Sequence, residues 1–149
     1  MDVKLPTTIK ELKAFAHAVN KAKYSDIPEF AVPTPVMSDS NTNALTKAVI
    51  YDMANVRKGV AYRINNGGVY DQKKGTYRKG VTRKGIPDII GIIKGRFFGI
   101  EIKFGSDRQS AEQRIIELEI KKAGGVYMIV KTYRGYVEAM NEISRDSRL

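Results

Sequence analysis

The residues best suited to chemistry are Asp88, Glu101 and Lys103, in the segments IPDIIGII and RFFGIEIKF that Lys94-Gly95 joins. Both segments are short and apolar, so they read as strands, and the Lys-Gly connection reads as a hairpin turn. With a two-residue turn, Ile93 opposes Arg96, and counting outward sets Asp88 opposite Glu101. Directly opposed residues of an antiparallel pair have Cβ atoms about 4.5–5.5 Å apart, close enough for both carboxylates to hold one cation. Lys103 shares their face because strand side chains alternate. A three-residue turn would shift the register by one, and twist or a bulge would then have to restore the approach.

Two carboxylates this close repel unless a cation or a proton lies between them. A hard divalent ion fits. Mg²⁺ takes oxygen ligands, commonly one or two carboxylates completed by water and phosphate oxygens. Such an ion activates water and stabilises charge on a phosphoryl group. Lys103 would orient the water or neutralise the developing charge. The competing reading is a plain salt bridge of Lys103 with Glu101 or Asp88 on a solvated sheet face.

A second feature lies upstream. Between Lys73 and Lys84 the chain has six cations (Lys73, Lys74, Arg78, Lys79, Arg83, Lys84) and no acid, with Tyr70 and Tyr77 nearby. Cations contact phosphates and aromatic rings stack on bases or sugars, so this stretch has the makings of a nucleic-acid contact. A solvated flexible loop is the alternative.

The elements that must position these residues follow from spacing. Residues 7–24 show apolar residues at helical intervals (Ile9, Leu12, Phe15, Ala16, Val19) after a Thr cap, which predicts an N-terminal helix. The proline-containing stretch after it predicts an irregular connection, and residues 1–40 are taken together as an appendage to a domain spanning 41–149. A second helix is expected after Asn41 or Asn43, with Leu45, Val49, Met53 and Val56 on one face and Gly59 at its end. VAYRIN predicts a strand, and the Gly- and Lys-rich stretch after it is too irregular to be regular structure throughout. After the hairpin come a helix capped by Ser110 and closed by Gly124-Gly125, the strand VYMIV and a terminal helix. The order from residue 43 is αβββαβα, an α/β fold.

Composition narrows the function classes. There is no cysteine, which removes disulfides, thiolate nucleophiles and cysteine zinc sites. The single histidine, His17, sits in a helical stretch where packing or surface exposure suits it better than catalysis. No apolar run reaches the roughly 18 residues a membrane span needs, and no signal peptide is visible, so a cytoplasmic protein with no membrane partner is expected. A formal net charge of +10 makes a polyanion the natural partner.

Pro87-Asp88, followed after twelve residues by Glu101-Ile102-Lys103, resembles the PD-(D/E)XK nuclease superfamily. More narrowly, Gly85 before Pro-Asp, the tight hairpin to Glu-x-Lys, the Ser-x-x-Gln helix start, the Ala-Gly-Gly close and the apolar strand after it come in the order of the VRR-NUC (virus-type replication-repair nuclease) family. The likeness covers about residues 43 to 130. It implies a restriction-endonuclease-like core, αβββαβ with a mixed sheet flanked by helices, to which the N-terminal helix is added. It further implies that Asp88 and Glu101 bind Mg²⁺ or Mn²⁺, that the Ile102 carbonyl adds a ligand, and that Lys103 assists the attacking water. Gln113 matches a glutamine the family places beside its active site, although with Ser110 it equally makes a capping box that needs no catalysis. RINNGG is similar to the family's strand with Arg and Asn leading into a glycine turn, which brings Arg63 and Asn65 to the nucleic-acid contact.

The activity so implied is hydrolysis of DNA phosphodiesters by an endonuclease, on branched DNA such as four-way junctions or flaps, as in stand-alone phage and bacterial members of the family, often dimers. One departure stands out. The family's first core helix usually begins with a glutamate that joins the metal site, whereas Asn41-Thr42-Asn43-Ala44-Leu45 has no acid, and Asp52 lies far along the helix. Two further readings therefore remain: a non-catalytic DNA- or RNA-binding protein on a degenerate nuclease fold, and a structural or assembly protein of a phage particle.

Overall fold

In the computed structural model, which describes residues 4–65, 67–78, 80 and 83–146, Lys94 and Gly95 both have positive φ, 47° and 78°. Positive φ at both central residues defines the tight turn whose twist matches that of the strands it joins. The register follows from it. Strands β4 (Ile89–Ile93) and β5 (Arg96–Ile102) pair from Ile93↔Arg96 to Ile89↔Ile100, the alignment that a two-residue turn predicts. Strand β1 (Val60–Arg63) pairs antiparallel with the other edge of β4, and the ladder runs on to a bond from the Ile64 N–H to the Asp88 carbonyl, 2.8 Å. Strand β6 (Val126–Val130) lies parallel to β5, so the sheet is mixed, in the order β1-β4-β5-β6.

Alternation divides the sheet into two faces. Ile89, Ile93, Phe98, Ile100, Ile102, Met128 and Val130 point to one face and form the core with helices α2 (Thr42–Tyr51) and α4 (Tyr133–Arg145). Leu45 and Val49 on α2, and Met53 and Val56 in the single π turn (Asp52–Val56) that prolongs it, are all buried there. Helix α1 (Ile9–Lys23) contributes Leu12 and Ala16 to the same core, and the connection after it contributes Met37.

Helix α3 (Ala111–Lys122) covers the opposite face. A Cβ on Gly99 would stand 2.9 Å from both Ile120 Cδ1 and Pro87 Cγ, so the absence of a side chain in mid-strand is what lets α3 and the Pro87 segment lie close on β5. The molecule is thus an α/β protein with a mixed four-stranded sheet flanked by helices.

In the stretch read from sequence as largely irregular there is a small antiparallel hairpin, β2 (Val69–Asp71) with β3 (Thr76–Arg78). Gly75, at φ 58°, makes its turn, and the exposed rings of Tyr70 and Tyr77 are cross-strand partners.

Candidate active site

Asp88 sits just before β4, and its Oδ2 crosses to β5 to accept the Ile102 N–H at 2.9 Å. That bond pins the carboxylate to the backbone beyond Glu101 and places the Ile102 peptide within the site. Glu101 is on the α3 face and only 4% exposed. Its Oε1 accepts from Lys103 Nζ at 3.1 Å and from Gln113 Nε2 at 2.5 Å. Its Oε2 is buried with no partner.

Burial raises the Glu101 carboxyl above the ordinary carboxylate range, and the negative charge of Asp88 raises it further; Lys103 and Gln113 oppose both. The donor set and the electrostatics fit a hard divalent ion. A buried carboxylate oxygen without a partner, beside a second carboxylate whose charge penalises it, is relieved by a cation. Among the described residues no three or more His, Cys, Asp or Glu side chains group to hold a metal, so two acids are what these residues offer. Asp88 and Glu101 would hold the ion, with water and phosphate oxygens completing its shell.

Gln113 makes the capping box and also bonds to Glu101. Its Oε1 accepts the Ser110 N–H at 2.9 Å while Ser110 Oγ accepts the Gln113 N–H, closing the capping box; its Nε2 goes to Glu101. One planar amide ties the start of α3 to the carboxylate.

The first turn of α2 contains no acid. Asn43 there accepts from Arg63 Nη1 at 2.5 Å. Arg63 pairs with Ile89 and so lies on the α2 face of the sheet, opposite the face of Glu101. Asp52 is fully buried and committed elsewhere: it accepts from Arg57 Nε at 2.6 Å and from the hydroxyls of Tyr133 and Tyr136, both at 2.7 Å. Neither position supplies a third ligand. His17 is far along α1 in contact with Glu29.

A cleft of about 740 Å³ opens beside Asp88 and Gln113, walled by Tyr77, Arg83, Lys84 and Gly85. Arg83 grips Glu119 of α3 with two hydrogen bonds of 2.7 and 2.8 Å, which fastens the basic segment to the helix. Lys84 is exposed on that wall. Lys73 and Lys74 are exposed in the β2–β3 turn, their N–H groups donating to Asp71 Oδ1. Asn65 is exposed just past β1. Arg78 belongs to β3, while its side chain, like Lys79 altogether, lies outside the described residues.

Two features of the site escaped the sequence. Tyr127 of β6, opposite Gly99, has its hydroxyl buried near Gln109, Glu101 and Glu117, without a hydrogen bond of good geometry; burial pushes it up to about 12, Gln109 opposes the rise, and the neighbouring carboxylates add to it. It therefore stays protonated and neutral beside the acids. A second cleft, of about 450 Å³, lies on the Lys103 side and is walled by Arg108, Arg114 and Lys131. These residues come from a loop, a helix and a strand end, so nothing in their spacing groups them.

No protein-family model matches the chain, and comparison with curated proteins and with solved structures finds no match. Among the described residues no helix is long and apolar enough to cross a membrane.

Proposed function

We propose that the chain is a Mg²⁺- or Mn²⁺-dependent endonuclease of the PD-(D/E)XK type, akin to the VRR-NUC family, that hydrolyses phosphodiester bonds in DNA. The observation that carries this reading is the buried, unpartnered Oε2 of Glu101 beside Asp88, with the Lys103 ammonium 3.1 Å from the other oxygen. A salt bridge alone explains Oε1 and leaves Oε2 with nothing. A divalent ion, when bound, acts as a Lewis acid toward phosphoryl oxygens and acidifies water.

The chain's own residues do the rest. The Ile102 N–H holds Asp88 in place, and Gln113 and Lys103 hold Glu101, so neither carboxylate must reorganise when the ion arrives. Lys103, only 13% exposed at its side chain, supplies positive charge where the pentacoordinate phosphorus accumulates negative charge. Exposed cations beside the first cleft, Lys84 among them, hold flanking phosphates. Branched DNA as the substrate, and a homodimer as the working form, rest on the family likeness; a two-fold dimer would present two sites to the two strands of a junction.

The test is cleavage of labelled single-stranded, duplex, flap and four-way-junction DNA with Mg²⁺ or Mn²⁺, run beside Asp88→Asn. That variant keeps an oxygen to accept the Ile102 N–H and loses the charge. Cleavage that requires both the ion and Asp88 is expected, and equal cutting by Asp88→Asn defeats the proposal. The absence of an acid in the first turn of α2 favours a second reading, a DNA- or RNA-binding protein on a degenerate nuclease fold, which binding without cleavage by the wild type would support.

A further inference from the structure

We propose that the substrate strand continues past the scissile phosphate into the second cleft, where Arg108, Arg114 and Lys131 bind the phosphates on the side opposite the Arg83–Lys84 wall. This deepens the nuclease reading and rests on it. The two clefts flank the start of α3: Ser110 and Gln113 line the first, Gln109 and Arg114 the second. Glu101 links the two: its Oε1 accepts from Gln113 of the first cleft and from Lys103, which lines the second. A strand that crosses the site therefore leaves one cleft and enters the other.

The second cleft is built for an anion. Strands β5 and β6 run parallel, with Ile102↔Val130 in register and the Lys103 N–H bonded to the Val130 carbonyl at 2.9 Å. Lys103 and Lys131 thus leave neighbouring strands at the same end. Like charges brought side by side cost free energy that an anion between them relieves. Four cations line the cleft against a single acid, Asp107. Among the described residues Arg108, Arg114 and Lys131 make no ion pair, in contrast to Arg83 in the first cleft. The Arg114 guanidinium donates to the Gln109 carbonyl at 3.3 Å, which steadies it at the wall. Ile129, in register with Glu101 and 44% exposed, gives the floor an apolar surface on which a sugar can rest.

The consequence is a substrate held on both sides of the bond that breaks, as an internal phosphodiester requires. The experiment is fluorescence anisotropy of labelled duplex DNA across a KCl series, without divalent ions, for wild type, Arg108→Gln/Lys131→Gln and a charge-matched control, Lys10→Gln/Lys13→Gln on α1. All four residues are exposed. The slope of log affinity against log salt should shrink by about 0.9 for each phosphate that the variant no longer neutralises, hence by about 1.8 for the cleft pair. The control pair should leave it within error, and Arg108→Lys/Lys131→Arg should restore it. In cleavage assays the cleft pair should raise KM and leave kcat unchanged.

A cleft pair that changes the slope no more than the control overturns the proposal, as does a wild type that binds no DNA. Metal-dependent cutting with an unchanged slope would remove the second cleft and leave the nuclease standing. Normal cutting by Asp88→Asn would instead remove the assigned active site, which the salt slopes do not read.

Discussion

Gln113 bridges two tasks with one amide, and its two ends can be tested separately. Ser110→Ala removes the hydroxyl half of the capping box and leaves the bond from Gln113 to Glu101, so stability should drop by about 1 kcal/mol with cleavage retained. Gln113→Ala removes both bonds, and a residue that orients a metal-binding carboxylate costs about 10–100-fold in activity or metal affinity. Equal activity in the two variants would reduce Gln113 to a cap. Glu101 makes a prediction of opposite sign. Its folded-state carboxyl is raised, by burial first and Asp88 second, so the native state binds more protons than the unfolded one above the ordinary value of 4.5. Stability therefore falls as pH rises above 4.5 and through the raised value. Glu101→Gln should abolish cleavage yet raise Tm at pH 7 in metal-free buffer, with the gain fading as the medium is acidified below 4.5. Mg²⁺ should raise the Tm of the wild type and not that of the variant. A lower Tm for Glu101→Gln at pH 7 would mean that the charge is already compensated.

At the scale of elements, the segment carrying Asp88 is held against α3 by a glycine. Gly85 has φ 86°, and a Cβ there would lie 2.6 Å from the backbone carbonyl of Glu112. Gly85→Ala must strain the backbone and push α3 from the cleft wall, so a loss of about 2 kcal/mol or more and a Tm lower by about 4–8 °C are expected, with cleavage impaired. Gly75→Ala has positive φ and open space, so it should cost about 1 kcal/mol and spare the activity. Equal effects of the two would show that Gly85 acts through its backbone angle alone. These elements also show what was legible beforehand. Lys94-Gly95 and strand alternation suffice for the β4–β5 register, because a tight turn leaves no freedom in the pairing next to it. The β2–β3 hairpin was not legible, since its strands are three residues long and the rings of Tyr70 and Tyr77 are exposed, too little to show the alternation that marks a strand. The second cleft was hidden for another reason: Arg108, Arg114 and Lys131 converge only when β5, α3 and β6 are assembled.

For the whole molecule, Asp52, which lies too far along the helix in sequence to replace the acid missing from α2, has a different task. It sits in the π turn after α2 and binds Arg57 just past that turn and Tyr133 and Tyr136 on α4. The Arg57 guanidinium also lies 5.5 Å from the centre of the Tyr136 ring. Tyr133 reaches the N-terminal segment as well, through the Pro6 carbonyl and through its own N–H to Asp39, so one buried polar cluster connects the first forty residues, α2 and the last helix. Burial, with the adjacent Asp52 charge, raises both tyrosine hydroxyls well above their ordinary range, which keeps them protonated as donors to the carboxylate. Asp52→Ala would strand a buried guanidinium and two phenols. Removing one partner of a buried pair costs about 3–5 kcal/mol, a fall in Tm of roughly 10 °C or more in a chain of this size. Because the cluster ties the termini to the core, unfolding should remain a single transition at the lower temperature. The proposed metal site lies on the other face of the sheet, so whatever fraction of Asp52→Ala is folded should cut DNA with unchanged metal dependence. A metal requirement that weakens in proportion to the loss of Asp52 would place this carboxylate back in the active site as the missing acid.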